Sequence, residues 1–210
     1  MEITSIRKSG AVDRQLGITD RIGGGATLVL RAPRPVDGPA VSALIDQCPP
    51  LDANSAYCNL LQCTHFAQSC IIAERQANVI GWISGYRLPT DTRRFFVWQV
   101  AVHPSARGEG LALKMLNVLL DRRSNADVEY LLTTITPANA ASWAFFEGFA
   151  RRCGVSLVKT PLFDERLHFA GAHETEWLAE VGPFQKFQAN GGKAHEQPEP
   201  HEHTAGQGDL

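Results

Sequence analysis

An apolar run, 95-FFVWQVAVH-103, leads within a few residues into 107-RGEGLA-112 and then into 113-LKMLNVLLDRR-123. The run is nearly continuous in apolar residues, as expected of a strand covered on both faces. The last stretch places its leucines at helical spacing. Between the two stand glycines, each of which costs a helix interior about 0.5–1 kcal/mol relative to alanine, so something there needs bare main chain. A strand that turns sharply into a helix exposes the first N–H groups of that helix, and the dipole adds positive character at the same end. Such an end binds anions. Gly108 and Gly110 permit close approach or a positive φ, Ala112 keeps the first turn thin, and Arg107 brings a guanidinium suited to a diphosphate. The hexapeptide by itself fits a plain turn equally well, so its neighbours must decide.

Those neighbours alternate in period. Residues 27-TLVLR-31 read as a short strand, and 36-VDGPAVSALIDQC-48 as a helix with Val41, Leu44, Ile45 and Cys48 on one face, stopping before Pro49-Pro50. A second helix is expected over 55–66. Strands follow at 69–75 and 79–88, antiparallel across a turn at Gln76-Ala77-Asn78, then the strand 95–103 and a helix over 109–123. Further on, the pattern predicts a strand at 128–136, a helix at 138–152 and late strands at 154–158 and 176–181. This order predicts a mixed α/β (α+β) sheet with helices packed over it. Residues 1–26 read as a disordered leader and the polar 188–210 as a disordered tail, which leaves one domain over 27–187. The run Gly23–Gly25 has no Lys-Ser/Thr after it and is no P-loop. The tail's His195, His201 and His203 read as solvated.

A formal net charge of −2 provides no long-range attraction to nucleic acid or an anionic membrane. No apolar run approaches the roughly 18 residues of a membrane span, and none at the N-terminus resembles a signal peptide. The five cysteines, Cys48, Cys58, Cys63, Cys70 and Cys153, include no CxxC pair and read as reduced packing residues of a cytoplasmic protein, with no metal site.

In this setting the hexapeptide Arg107-Gly108-Glu109-Gly110-Leu111-Ala112 is similar to the R/Q-x-x-G-x-G/A acetyl-CoA signature of the GNAT superfamily of acyl-CoA N-acyltransferases. The strand 128–136, followed by Asn139 and a helix carrying Phe145-Phe146, resembles the family's second cofactor-side segment. The resemblance implies a GNAT fold: a mostly antiparallel central sheet splayed between two strands, with helices on both faces. It implies that main-chain groups of Gln99, Val100, Ala101 and Val102 meet the pantetheine arm of acetyl-CoA, that Arg107, Gly108, Gly110 and Ala112 hold its pyrophosphate, and that Asn139 approaches from the other side. More narrowly, 49-PPLDANSAYCNLLQCTHF-66, 97-VWQVAVHPSARGEGLA-112, 132-LTTITPANAASWAFF-146 and 173-HETEWL-178 resemble the diaminobutyrate acetyltransferase family of ectoine biosynthesis, cytoplasmic homodimers that acetylate the γ-amino group of L-2,4-diaminobutyrate.

A diamine sets chemical demands of its own. An alkylammonium with a pKa of about 10.4 costs about 4–5 kcal/mol to deprotonate at pH 7 unless the site shifts it, and a nearby carboxylate can take the proton. The resemblance implies Asp52 as the group that contacts or deprotonates the amine and Glu176 as a second ammonium contact. His173 relays a proton or holds the substrate carboxylate, Trp98 offers a cation–π face, and Tyr57 a hydroxyl that orients the substrate or protonates the leaving group. Spacing alone would read Asp52 as a helix cap, Trp98 and Tyr57 as packing, and His173 and Glu176 as solvated. Phe146 stands where many GNAT enzymes carry a tyrosine that protonates the departing thiolate, and Phe cannot do so. A bulge near Val100–Ala101 is expected to leave a main-chain N–H free for the developing oxyanion.

Overall fold

The computed structural model describes residues 18–21 and 27–184. The strands are β1 (Ile18–Arg21), β2 (Thr27–Arg31), β3 (Ile71–Arg75), β4 (Asn78–Leu88), β5 (Asp91–Val102), β6 (Tyr130–Ile135), β7 (Leu157–Phe163) and β8 (Glu176–Val181). The helices are α1 (Gly38–Asp46), α2 (Ala56–Thr64), α3 (Leu111–Leu120) and α4 (Ala140–Cys153). All eight strands form one sheet in the order β1-β2-β3-β4-β5-β6-β8-β7. Every neighbouring pair is antiparallel except β5 and β6.

Adjacent residues on the strands divide between two cores. On β3, Ile71 packs with Met115 and Leu116 of α3, while Ile72 joins Val41, Leu44 and Ile45 of α1; on β4, Ile83 and Trp82 divide the same way. Successive side chains of a strand point to opposite faces, so α1 and α2 cover one side of the sheet and α3 and α4 the other, as the resemblance implies. The α1 face read from the sequence is buried (Val41, Leu44 and Ile45), and on α3 Leu111, Met115, Leu116 and Leu119 are buried too. Burying one aliphatic side chain contributes about 1.5–3 kcal/mol, so these two faces hold the helices to the sheet.

Several boundaries move, each for a local reason. Gln76 and Ala77 both have positive φ (51° and 62°) and close the β3–β4 hairpin as a two-residue turn, so Asn78, expected in the turn, begins β4. Gly154 caps α4 with a left-handed backbone (φ 68°), which delays β7 to Leu157. The stretch read as a disordered leader contains β1, which pairs with β2 from Ile18↔Leu30 to Arg21↔Thr27. An edge strand needs only one neighbour's main chain, so the sparse apolar content of this segment did not forbid it. Residues 1–17, 22–26 and 185–210, including most of the expected leader and the expected tail, lie outside the described residues.

Candidate active site

The site begins where β5 and β6 part. Their parallel pairing covers only Arg94↔Tyr130, Phe95↔Leu131 and Phe96↔Leu132, after which β6 continues with β8 through Ile135↔Trp177. Beyond Phe96 one edge of β5 therefore lacks a strand partner among the described residues. In the same region β5 carries a bulge: Ser84 pairs with Gln99 and Gly85 with Val97, which leaves Trp98 as the extra residue. The bulge changes the phase of the strand. Phe95 and Val97 pack on the α3/α4 side, but Ala101 packs on the α1/α2 side. Trp98 and Gln99, consecutive in sequence, consequently line one and the same cavity.

The expected bulge at Val100–Ala101 is thus displaced to Trp98. His103 donates its main-chain N–H to the Ile80 carbonyl of β4 (2.9 Å), and by the alternation of an antiparallel ladder Ala101 also faces β4. Val100 and Val102 then turn their main-chain groups toward the open edge. The Val102 carbonyl accepts from Arg107 Nε (3.2 Å) and Cys48 Sγ (3.4 Å). Ala101, expected among the main-chain contacts to the arm, is fully buried against α1 and Trp82 instead.

On the α3/α4 side lies a cleft of about 470 Å³, lined by Val100, Val102, Arg107, Gly108, Gly110, Ala112, Phe145, Phe146 and Arg152 among others. Gly108 and Gly110 have φ of 79° and 72°, a conformation that excludes most side chains, yet a Cβ built at either meets no protein atom within 4 Å. Internal packing therefore does not require these glycines; the left-handed backbone conformation does. The first helical hydrogen bond of α3 runs from the Lys114 N–H to the Gly110 carbonyl (3.1 Å), so the amides of Leu111, Ala112 and Leu113 have no helical acceptor. Positive helix end, bare main chain, Arg107 and Arg152 suit a bulky polyanion with an apolar arm. Sequence reasoning missed Arg152; only the packing of α4 beside α3 brings it here.

On the other side, a cavity of about 720 Å³ is lined by Asp52, Asn54, Trp98, Gln99, Thr134, Thr136, Asn139, His173, Glu174 and Glu176 among others. Ser55, not Asp52, caps α2 by accepting from the Cys58 N–H (3.1 Å), which frees the Asp52 carboxylate. His173 Nε2 stands 3.8 Å from Asp52 Oδ2. His173 Nδ1 lies 2.9 Å from the Glu174 carbonyl, which can only accept, so Nδ1 bears a proton. That carbonyl first, and then the neighbouring Glu176, Asp52 and Glu174 carboxylates, raise the His173 pKa. Burial pushes the Glu176 carboxyl up, opposed by a hydrogen bond with Thr134 and the charge of His173. Three carboxylates around one imidazole favour a cationic guest. Among the described residues no group of His, Cys, Asp and Glu is arranged to hold a metal ion. The two hollows share the splayed strand: Gln99 borders one and Val100 the other, and the start of α4 passes from Asn139 in the first to Ser142 in the second.

The model of the acetyltransferase (GNAT) family matches residues 40–150 of this chain. The chain belongs to the GNAT acetyltransferase family. Within it, similarity is high to the L-2,4-diaminobutyric acid acetyltransferase of Methylotuvimicrobium alcaliphilum, 48% identical over 77% of this chain and 94% of the relative. The enzyme of the same name from Vibrio cholerae is 48% identical over 73% of this chain and 88% of its own length. Among solved structures, the diaminobutyrate acetyltransferase from Paenibacillus lautus, in complex with L-2,4-diaminobutyric acid and coenzyme A, superposes with a TM-score of 0.72 at 36% identity, covering 76% of this chain and 96% of that one.

For a GNAT domain, most expected residues converge. Asp52, Trp98, His173 and Glu176 share one cavity, and Val100, Val102, Arg107, Gly108, Gly110 and Ala112 share the other; Asn139, expected with the cofactor group, lines the acidic cavity instead, because it precedes the first turn of α4. The Asn139 side chain also caps α4, its Oδ1 accepting from the Ser142 N–H (3.1 Å). Trp98, half exposed, faces Tyr86 edge-on (centroids 6.4 Å apart) rather than lying in the core. Tyr57 does not join them. It is 70% exposed on α2, whose buried face is Asn59, Gln62 and Cys63, and it is not among the residues lining the acidic cavity. Phe146, 3% exposed, packs edge-on to Phe145 and carries no proton. The side chain of Gln99 and those of Asn54, Thr134 and Glu174 were missed; polar residues of this kind carry no spacing signal.

Proposed function

We propose that this GNAT enzyme transfers the acetyl group of acetyl-CoA to the γ-amino group of L-2,4-diaminobutyrate by direct attack in a ternary complex, the acetylation step of ectoine biosynthesis. The observation that supports it most is the abutment of an acidic cavity and a polyanion cleft at the opening between β5 and β6, in a chain about half identical to enzymes of that name.

In this reading the amides at the start of α3, with Arg107 and Arg152, hold the pyrophosphate, and the open edge at Val100 and Val102 pairs with the pantetheine arm. Bound acetyl-CoA supplies a thioester carbonyl beside the acidic cavity. Asp52 and Glu176 hold the two ammonium groups, and Trp98 walls the pocket. Asp52 takes the proton of the attacking amine, directly or through water, and His173 Nε2 passes it on or meets the substrate carboxylate. The amine nitrogen bonds to the acetyl carbon, the C–S bond breaks, and the second proton that the nitrogen gives up on becoming an amide passes to water. The Val100 N–H stabilises the oxygen on which charge develops. The thiolate departs unprotonated, which a thiol pKa of about 8.5 permits near neutral pH. Tyr57 is left without a part in proton transfer within one chain. The reading includes a cytoplasmic homodimer, for which the exposed Val36, Tyr57, Leu60 and Phe66 offer apolar surface.

The test is an acetylation screen of the purified enzyme against 2,4-diaminobutyrate, ornithine, lysine and peptides, with product position read by mass spectrometry. We expect γ-acetylated diaminobutyrate to dominate. Preference for another amine, or acetyl-CoA binding without turnover on any, would sink the proposal.

A further inference from the structure

Asp52 is an exposed acidic group of the cavity (its side chain is 85% exposed), and it sits on the irregular segment between α1 and α2, where no ladder or helix fixes it. A carboxylate that must meet one particular amine needs its backbone held from elsewhere. The holding group is a buried amide. Gln99, 7% exposed and turned toward the α1/α2 side by the Trp98 bulge, donates from Nε2 to the Asp52 main-chain carbonyl (2.8 Å). A carbonyl only accepts, so this contact sets the amide's orientation and leaves Gln99 Oε1 needing a donor. Asn54 Nδ2 supplies it at 2.6 Å and uses its second proton on Asn59 Oδ1 (3.1 Å). Asn59, fully buried, then donates to Ser42 Oγ (2.8 Å), which donates to the Gly38 carbonyl (3.2 Å). Every donor in the series has an acceptor and no link can be reversed without leaving two donors or two acceptors face to face.

We infer that Gln99 is a positioning residue for the acetyl transfer: its side-chain amide fixes the segment 52–54 against the central strand, sets where the Asp52 carboxylate meets the amine, and so governs the use of the diamine but not of acetyl-CoA. This rests on the role proposed above for Asp52.

A double-mutant cycle with Gln99→Met and Asp52→Asn tests it. Gln99→Met keeps the side-chain volume and removes both hydrogen bonds. We expect kcat/KM for diaminobutyrate to fall roughly ten- to a hundredfold, with the acetyl-CoA Kd by calorimetry within about twofold of wild type. In the Asp52→Asn background the same change should cost less than about threefold, because Gln99 acts through Asp52. Losses that multiply across the cycle, or an acetyl-CoA affinity that falls in step with diamine turnover, overturn the inference while leaving the proposed function in place. Unchanged kinetics for Asp52→Asn overturn the proposed role of Asp52 and this inference with it, and a wild-type enzyme that does not acetylate the diamine overturns the proposed function itself. If Gln99→Met does not fold, Asn54→Ala, at a partly exposed position, removes the donor to Gln99 Oε1 and completes the same cycle, where non-multiplying losses support the inference and multiplying losses overturn it.

Discussion

Glu176 illustrates how a single side chain is kept where folding alone would not put it. Its carboxyl is partly buried, and that burial raises its pKa from the ordinary carboxylate value. A group whose pKa is higher in the folded than in the unfolded state contributes stability at low pH, and that contribution disappears as pH rises through the folded value. At neutral pH the ionised Glu176 is therefore a cost, offset in function by the ammonium it is proposed to meet. Glu176→Gln keeps the shape and drops the charge. We expect its melting temperature at pH 7.5 to equal or exceed that of wild type, while kcat/KM for diaminobutyrate falls roughly ten- to a hundredfold, the size of one lost charge-assisted hydrogen bond of about 1.5–3 kcal/mol. A lower melting temperature with unchanged turnover would make Glu176 a structural residue. Trp98, His173 and Glu176 could not have been assigned from their own neighbourhoods in the sequence. Each looks like an ordinary packed or solvated residue until four segments, far apart in the chain, are brought to one cavity.

The turn from β5 into α3 is the element most completely written in the sequence. Two glycines with left-handed backbone stand in open space beside the cleft, as the proposed hold on the pyrophosphate requires. Gly110→Ala puts a methyl group into the cleft and an L-residue into a left-handed conformation. The folded state should lose about 1–2 kcal/mol, read as a modest drop in melting temperature. Acetyl-CoA affinity should weaken roughly tenfold, about 1.4 kcal/mol, by calorimetry. An unchanged Kd would show that the main chain at Gly110 does not approach the cofactor. The bulge in the strand just before has the opposite character: nothing in 95-FFVWQVAVH-103 marks Trp98 as the extra residue, because a bulge is a property of the register between two strands.

At the scale of the molecule, stability also depends on a charge cluster remote from the site. Arg31 on β2 holds Asp37 at the start of α1 through two hydrogen bonds (2.7 and 2.9 Å) and reaches Glu74 on β3 (2.8 Å). Burial by itself would push the Asp37 carboxyl up, but the Arg31 guanidinium and the Arg34 main-chain N–H together bring it down to about 2. A depressed pKa means that this contribution is full above the unfolded value near 3.8 and is lost as pH falls toward 2. Asp37→Ala leaves Arg31 partly uncompensated and should cost on the order of 3 kcal/mol in urea unfolding at pH 7, with the difference from wild type shrinking below pH 4. A pH-independent difference would refute the ion-pair account. The sequence by itself determined the helices, most of the strands, the glycine turn into α3 and the family, because periodicity and backbone chemistry are local and a residue's neighbours within a few positions suffice to set them. What only the tertiary structure decided was the displacement of the bulge to Trp98, the turn of Ala101 away from the open edge and of Gln99 toward Asp52, the distance of Tyr57 from the cavity, and the recruitment of β1 to the sheet. Each of these depends on which strand lies beside which and in what register, a relation between segments that no single segment encodes.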